Sequence, residues 1–187
     1  MRYALCDGKG CARRKANSAK RPVDSRILHL HAWFKTHKRD LPWRRTRDPY
    51  RILVSEVMLQ QTQVKRVLDF YPRWLRLFPT WEALAHAKTA DLLHAWAGLG
   101  YNRRALQLRE AAKAIVASGR APRTIEEWRA LKGVGPYTAA AVFAFSRHGG
   151  RDRRGPHKTA IAIDTNVRRA AGRIFLGIPY PAIRDDW

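Results

Sequence analysis

The chain has 187 residues, enough for one compact domain or two small helical lobes sharing a core. Its 37 Lys and Arg outweigh 15 Asp and Glu to give a formal charge of +22, an excess that points to a polyanionic partner, nucleic acid before an anionic membrane surface. No run of about 18 apolar residues occurs, which excludes a transmembrane helix.

Residues 1 to 22 read as a disordered basic tail without apolar periodicity. Its Cys6 and Cys11 form a lone C-x4-C pair with no nearby His and no second pair, so they read as reduced thiols and no metal site is expected. The tail lacks the apolar core of a secretory signal, and Gly8 and Gly10 argue against an amphipathic transit helix. Ile27, Leu28, Leu30 and Trp33 are spaced for one face of a helix, which stops before Leu41-Pro42-Trp43. Asp48-Pro49 opens the next helix, with Asp capping free N–H groups and Pro at the first turn having none to lose. That helix is apolar on nearly every side up to Leu59 and is expected to be the buried centre of the fold. Thr80 is read as the cap of a helix to about Ala87, and Thr89 as the cap of one to about Trp96. A long helix from about Asn102 stops near Gly119, as a left-handed C-terminal cap would have it. Thr124 and Glu127 form a T-x-x-E capping box. No strand pair is evident, so the expected class is all-α.

The helix from Thr124 runs into Leu131-Lys132-Gly133-Val134-Gly135-Pro136-Tyr137-Thr138 and then an Ala-rich apolar helix. Two glycines one residue apart permit a very tight hairpin with positive φ, and Pro136 restarts the helix at once. Backbone N–H groups at such a turn suit a phosphate, held without reading the bases; the alternative is a plain corner using glycine for sterics alone.

Two carboxylates carry candidate chemistry. Ser55 and Glu56 lie within the most apolar helix, so Glu56 faces either a narrow solvent stripe or a pocket, where desolvation would raise its pKa and suit it to act as a general acid. Asp164 opens the helix Thr165-Asn166-Val167-Arg168-Arg169 as a cap, and the helix N-terminus would keep it ionised. A protonated Glu opposite an ionised Asp is the pairing that cleaves glycosidic bonds through an oxocarbenium-like state. Whether the two residues meet is a question for the structure.

The ordered set LPWR (41–44), DPYRILVSEVMLQQTQV (48–64), FPTWEALAHA (78–87), WAGLGYNRRALQL (96–108), LKGVGPYTAAAV (131–142) and IDTNVRR (163–169) resembles the MutY family of A/G-specific adenine DNA glycosylases, in the endonuclease III branch of the helix-hairpin-helix superfamily. The resemblance covers about residues 27–176. It implies a helix-hairpin-helix DNA glycosylase fold of two helical lobes with a DNA-binding cleft between them: a barrel lobe over 48–164, with the hairpin at about 124–147, and a partial second lobe from 23–47 plus 165–187. It implies a monofunctional enzyme of base excision repair that flips adenine from its pair with 8-oxoguanine or guanine in double-stranded DNA and hydrolyses its glycosidic bond. Glu56 matches the acid that protonates adenine N7, Asp164 the carboxylate that stabilises the sugar cation and helps deliver water, and Asn166 a neighbouring amide. Gln60 and Gln61 match residues wedged into the base stack, and Tyr101 an intercalating aromatic. Lys132, Gly133, Val134, Gly135 and Thr138 match the backbone-binding hairpin. Ser55 and Tyr137 stand as active-site support.

Tyr137 occupies the position where strand-nicking members carry a Schiff-base Lys, so lyase chemistry is disfavoured. Tyr there also resembles thymine/uracil mismatch glycosylases, the alternative on base choice; a catalytically idle DNA-binding fragment is the alternative on chemistry. Three departures stand out. Thr165 replaces the usual Gly of D-G-N. The basic stretch Arg147 to Lys158 is longer than usual, either a source of phosphate contacts or a solvated loop. The family's four-Cys [4Fe-4S] loop and 8-oxoguanine-recognition domain would lie beyond Trp187, so no cofactor is expected within this chain. The protein is expected to act as a monomer, in the cytoplasm and on the nucleoid if bacterial, with no membrane partner.

Overall fold

The computed structural model describes residues 24–146 and 162–176. The tail with Cys6 and Cys11, the stretch 147–158 and the terminal Asp185-Asp186-Trp187 lie outside them. The described residues are helices and turns without a strand, and none of the helices is long and apolar enough to cross a membrane. The chain divides into two compact units, Met1–Arg39 and Asp40–Trp187.

In the first unit, α1 (Ser25–His37) is capped by Asp24, whose carboxylate accepts from the Arg26 N–H at 2.8 Å. Its apolar side chains Ile27, Leu28, Leu30 and Trp33 are each about half exposed.

The second unit is built around α2 (Pro49–Leu59), where Asp48 accepts from the Tyr50 N–H at 2.9 Å and Pro49 starts the helix, as the sequence leads one to expect. Ile52, Leu53, Val54, Val57 and Met58 are buried, because other helices cover α2 on several sides. It packs against α3 (Val64–Leu77), α6 (Arg103–Ser118) and α8 (Pro136–Phe145). Trp74 of α3 meets Trp96 of α5 (Thr89–Trp96) edge-on at 5.2 Å, locking these helices by aromatic contact. Thr80 caps the short α4 (Trp81–Ala85). Thr124 caps α7 (Ile125–Arg129), its hydroxyl accepting from the Glu127 N–H, and the Glu127 carboxylate accepts in turn from the Arg123 N–H at 2.6 Å. Gly119 ends α6 at φ 70°, the left-handed cap its sequence suggests.

One expected cap differs. Thr89 is the first helical residue of α5, with Lys88 in the cap position, and its hydroxyl accepts from Arg109 at 2.9 Å. The side chain satisfies a neighbouring helix instead of its own N-terminus. The helix α9 (Thr165–Ala171) is capped by Asp164 and passes into a π turn, Gly172–Leu176.

Candidate active site

Glu56 sits in the last turn of α2 between buried Ser55 and Val57, itself partly exposed. Its surroundings make it the outlier among the carboxylates. Desolvation pushes its pKa up to about 7, the negative charge of Asp164 adds to the rise, and the Tyr137 hydroxyl opposes it by hydrogen bonding to the ionised form. The Tyr137 hydroxyl is in turn pushed up to about 12, by burial first and by Glu56 and Asp164 after it. Glu56 is thus partly desolvated, and Tyr137 and Asp164, from two further helices, lie near enough to act on it.

Asp164 keeps its local role as well. It accepts from the Val167 N–H at 2.6 Å, which fixes its carboxylate at the start of α9 while its charge acts on Glu56. Asn166, two residues on, is exposed and accepts from the Arg169 guanidinium. Ser55 lies in the core, its hydroxyl donating to the Ile52 carbonyl at 2.8 Å, so that it supports the helix.

Beside this cluster lies an open groove of about 800 Å³. The Gln60–Gln61 turn, Tyr101, the start of α6 (Arg103, Arg104, Gln107) and hairpin residues Gly133, Val134 and Gly135 line it. Gln61 and Tyr101 are the non-glycine residues at positive φ, 53° and 49°, in the described chain. Two such residues in the lining of one groove mark it as a place where side-chain direction is imposed by the surroundings. Tyr101 is 66% exposed.

The hairpin joins groove and cluster. Gly133 takes φ 81°, and a Cβ there would come within 2.7 Å of the Gln107 Cβ, so glycine is required both by conformation and by space. Only this glycine is left-handed; Gly135 is extended at φ −79° and serves as the N-cap position of α8, which no side chain caps. The N–H groups of Gly133 and Gly135 donate to no backbone carbonyl among the described residues, and Lys132 is exposed at the tip. Two expected DNA contacts need correction. Val134 is buried and its N–H is used by the Leu131 carbonyl at 3.2 Å. Thr138 is 4% exposed, with its hydroxyl accepting from Gln60 Nε2 at 3.5 Å, so its side chain cannot reach a phosphate and instead ties the hairpin to the Gln60–Gln61 turn. Sequence reasoning passed over Arg104, a buried residue of the groove wall. Its signal was present: 104, 108, 112 and 115 form one stripe of α6, and the other three are Leu, Ala and Ile.

Residues 54–181 match the HhH-GPD superfamily of base excision DNA repair proteins. The chain belongs to that superfamily. Among curated relatives it is 46% identical over 152 residues to an adenine DNA glycosylase of Mycobacterium tuberculosis, covering 80% of this chain and 47% of that protein. It is 40% identical over 158 residues to the human adenine DNA glycosylase, covering 78% and 27%. The chain thus spans about half the length of the bacterial relative or less. Among solved structures it is similar to a thermostable thymine-DNA glycosylase, at 30% identity and TM-score 0.69 over 79% of this chain and 65% of that one. A non-covalent endonuclease III–DNA complex, at 21% identity and TM-score 0.63 over 80% and 67%, shares the fold. These likenesses support the MutY-type assignment within the HhH-GPD superfamily. A [4Fe–4S] cluster takes four thiolates, and this HhH-GPD chain has two cysteines, both in its first 11 residues, so its own residues do not fit such a cluster.

Proposed function

We propose that this chain is a monofunctional DNA glycosylase that hydrolyses the N-glycosidic bond of adenine mispaired with 8-oxoguanine or guanine in double-stranded DNA. The observation that carries the reading is Glu56: a carboxyl held near pKa 7 by burial and by the charge of Asp164, on the helix that runs into the Gln60–Gln61 turn of the groove. Such a group holds its proton near neutral pH and can give it up in a transition state. Glu56 protonates N7 of the extruded adenine, the C1′–N9 bond breaks with its electron pair passing to the purine, and Asp164 stabilises the sugar cation. Water then adds to C1′, its proton passing to Asp164, and adenine and an abasic site are the products. The N–H groups at Gly133 and Gly135, with Lys132, bind phosphate; Gln60, Gln61 and Tyr101 enter the base stack. Tyr137 cannot form the Schiff base that backbone nicking requires, so the abasic strand stays intact. The protein acts on DNA as a monomer.

A second reading is favoured by the 30% identical thymine-DNA glycosylase and concerns only the base: thymine or uracil from a mismatch with guanine. Single-turnover release from A:8-oxoguanine, A:G, T:G and U:G duplexes, by wild type and Asp164→Asn, tests both. Adenine release that the variant lacks supports the proposal, and thymine or uracil release moves it to the second reading. Salt-sensitive DNA binding without any release leaves a DNA-binding fragment.

A further inference from the structure

Arg104 is a buried cation with no carboxylate partner among the described residues. Its Nη1 donates to the carbonyls of Val57 and Met58 at 3.1 Å each, and to that of Gln60. These belong to the orphan acceptors at the C-terminal end of α2, where the helix dipole favours a positive charge. Its Nη2 donates to Thr62 Oγ1, Leu99 O and Gly100 O, each at 3.0 Å. The guanidinium also lies 5.6 Å from the centre of the Tyr101 ring. One side chain thus ends the helix that carries Glu56, holds both sides of the strained Gln61 from Gln60 and Thr62, and grips the turn that delivers Tyr101. The planar fork of arginine can reach two chain segments at once; the single ammonium of lysine cannot.

We propose that Arg104 is a positioning residue that sets the Gln60–Gln61 turn and Tyr101 as one wedge, so that its loss impairs base extrusion while DNA binding through the hairpin persists. The inference rests on the function proposed above, with the wedge as the part it deepens. Arg104→Lys keeps the charge and removes the bridge. With 2-aminopurine as the target base, wild type bound to a duplex raises the emission as the base unstacks. Arg104→Lys binds undamaged duplex as wild type does, shows no rise, and releases adenine roughly a hundredfold more slowly, the scale of a misplaced reacting group. On a duplex whose adenine lies opposite an abasic gap and is already unstacked, the variant recovers to within about threefold of wild type.

Retention of both emission and rate by Arg104→Lys overturns the proposal, as does a loss that the gapped duplex fails to rescue. Should that variant not fold, Thr62→Val removes one bond of the bridge, and a roughly three- to tenfold loss of the same rescuable kind is expected; no change overturns the proposal. Wild type that releases adenine without the emission rise contradicts the wedge and leaves the proposed function standing. An emission rise without release contradicts the function and leaves Arg104 judged by emission alone. Neither signal from wild type contradicts both.

Discussion

The Tyr137 hydroxyl, on the first turn of α8, favours the ionised form of the Glu56 carboxyl in the last turn of α2, against burial and the Asp164 charge that favour the protonated one. Burial and charge prevail, leaving Glu56 near pKa 7. The balance makes the acid adjustable from either side.

Removing the hydroxyl with Tyr137→Phe takes away the contribution that lowers the Glu56 pKa. The alkaline limb of the rate profile should therefore move to higher pH, while the rate near neutrality changes by less than about tenfold. A single-turnover pH profile of the variant checks the direction; a shift to lower pH contradicts it.

Glu56→Gln should slow base release by roughly 10²- to 10⁴-fold, the usual contribution of a positioned proton donor. Its effect on stability has the opposite sense. The folded-state pKa is raised from 4.5 to about 7, so the native state binds the proton more tightly than the unfolded chain, and stability is lost as pH rises through that window. Glutamine is spared that loss, so the variant should be more stable above neutrality, on the order of 1–2 kcal/mol after allowing for screening of a partly exposed group. Denaturant melts at acid and alkaline pH check this, with the gain confined to the alkaline side.

Asp164→Asn separates cap from chemistry. Asparagine caps a helix about as well as aspartate, so stability should change by less than about 0.5 kcal/mol. Base release should fall at least roughly a hundredfold as the charge facing the sugar is lost. Any residual activity should have its alkaline limb at lower pH, since the Asp164 charge helps to raise Glu56. Equal loss of stability and activity would mean that the cap is the whole role.

The two hairpin glycines should part company. Gly133→Ala imposes a positive φ on a residue with a Cβ and drives that atom against Gln107, at a cost of roughly 1–3 kcal/mol. Gly135→Ala meets nothing within 4 Å and should leave stability within about 0.5 kcal/mol of wild type, yet its methyl stands where a phosphate would approach. Thermal melts and salt-dependent DNA affinity, measured together, should show both variants weak in binding and only the first weak in folding.

What could be read from the sequence was what local rules govern. Asp48, Thr80, Thr124 and Gly119 end helices for reasons contained within a few neighbours, and the nearly continuous apolar run 52–59 announced the central helix. The readings that changed depend on distant partners. Thr89 serves Arg109 and not its own helix, and Thr138 turns inward to Gln60 across 78 positions of chain. Sequence reasoning passed over α3 although its signal was present, since Val64, Val67, Leu68, Tyr71, Trp74 and Leu75 recur at helical spacing with exposed Lys65, Arg66, Arg73 and Arg76 on the other face. The apolar stripe of α6 marked Arg104 as inward-facing, but the carbonyls that make its burial possible come from other segments and needed the fold. The meeting of Glu56 with Asp164, 108 positions apart, likewise needed the fold.

The most direct test of the account is the pH dependence of single-turnover adenine release from an A:8-oxoguanine duplex, by wild type and Glu56→Gln. With Glu56 as the acid, the wild-type rate is flat below neutrality and falls about tenfold per pH unit above about 7, and the Glu56→Gln rate is at least roughly a hundredfold lower and lacks that limb. A wild-type rate that rises through neutrality, or a Glu56→Gln variant as active as wild type, would contradict it.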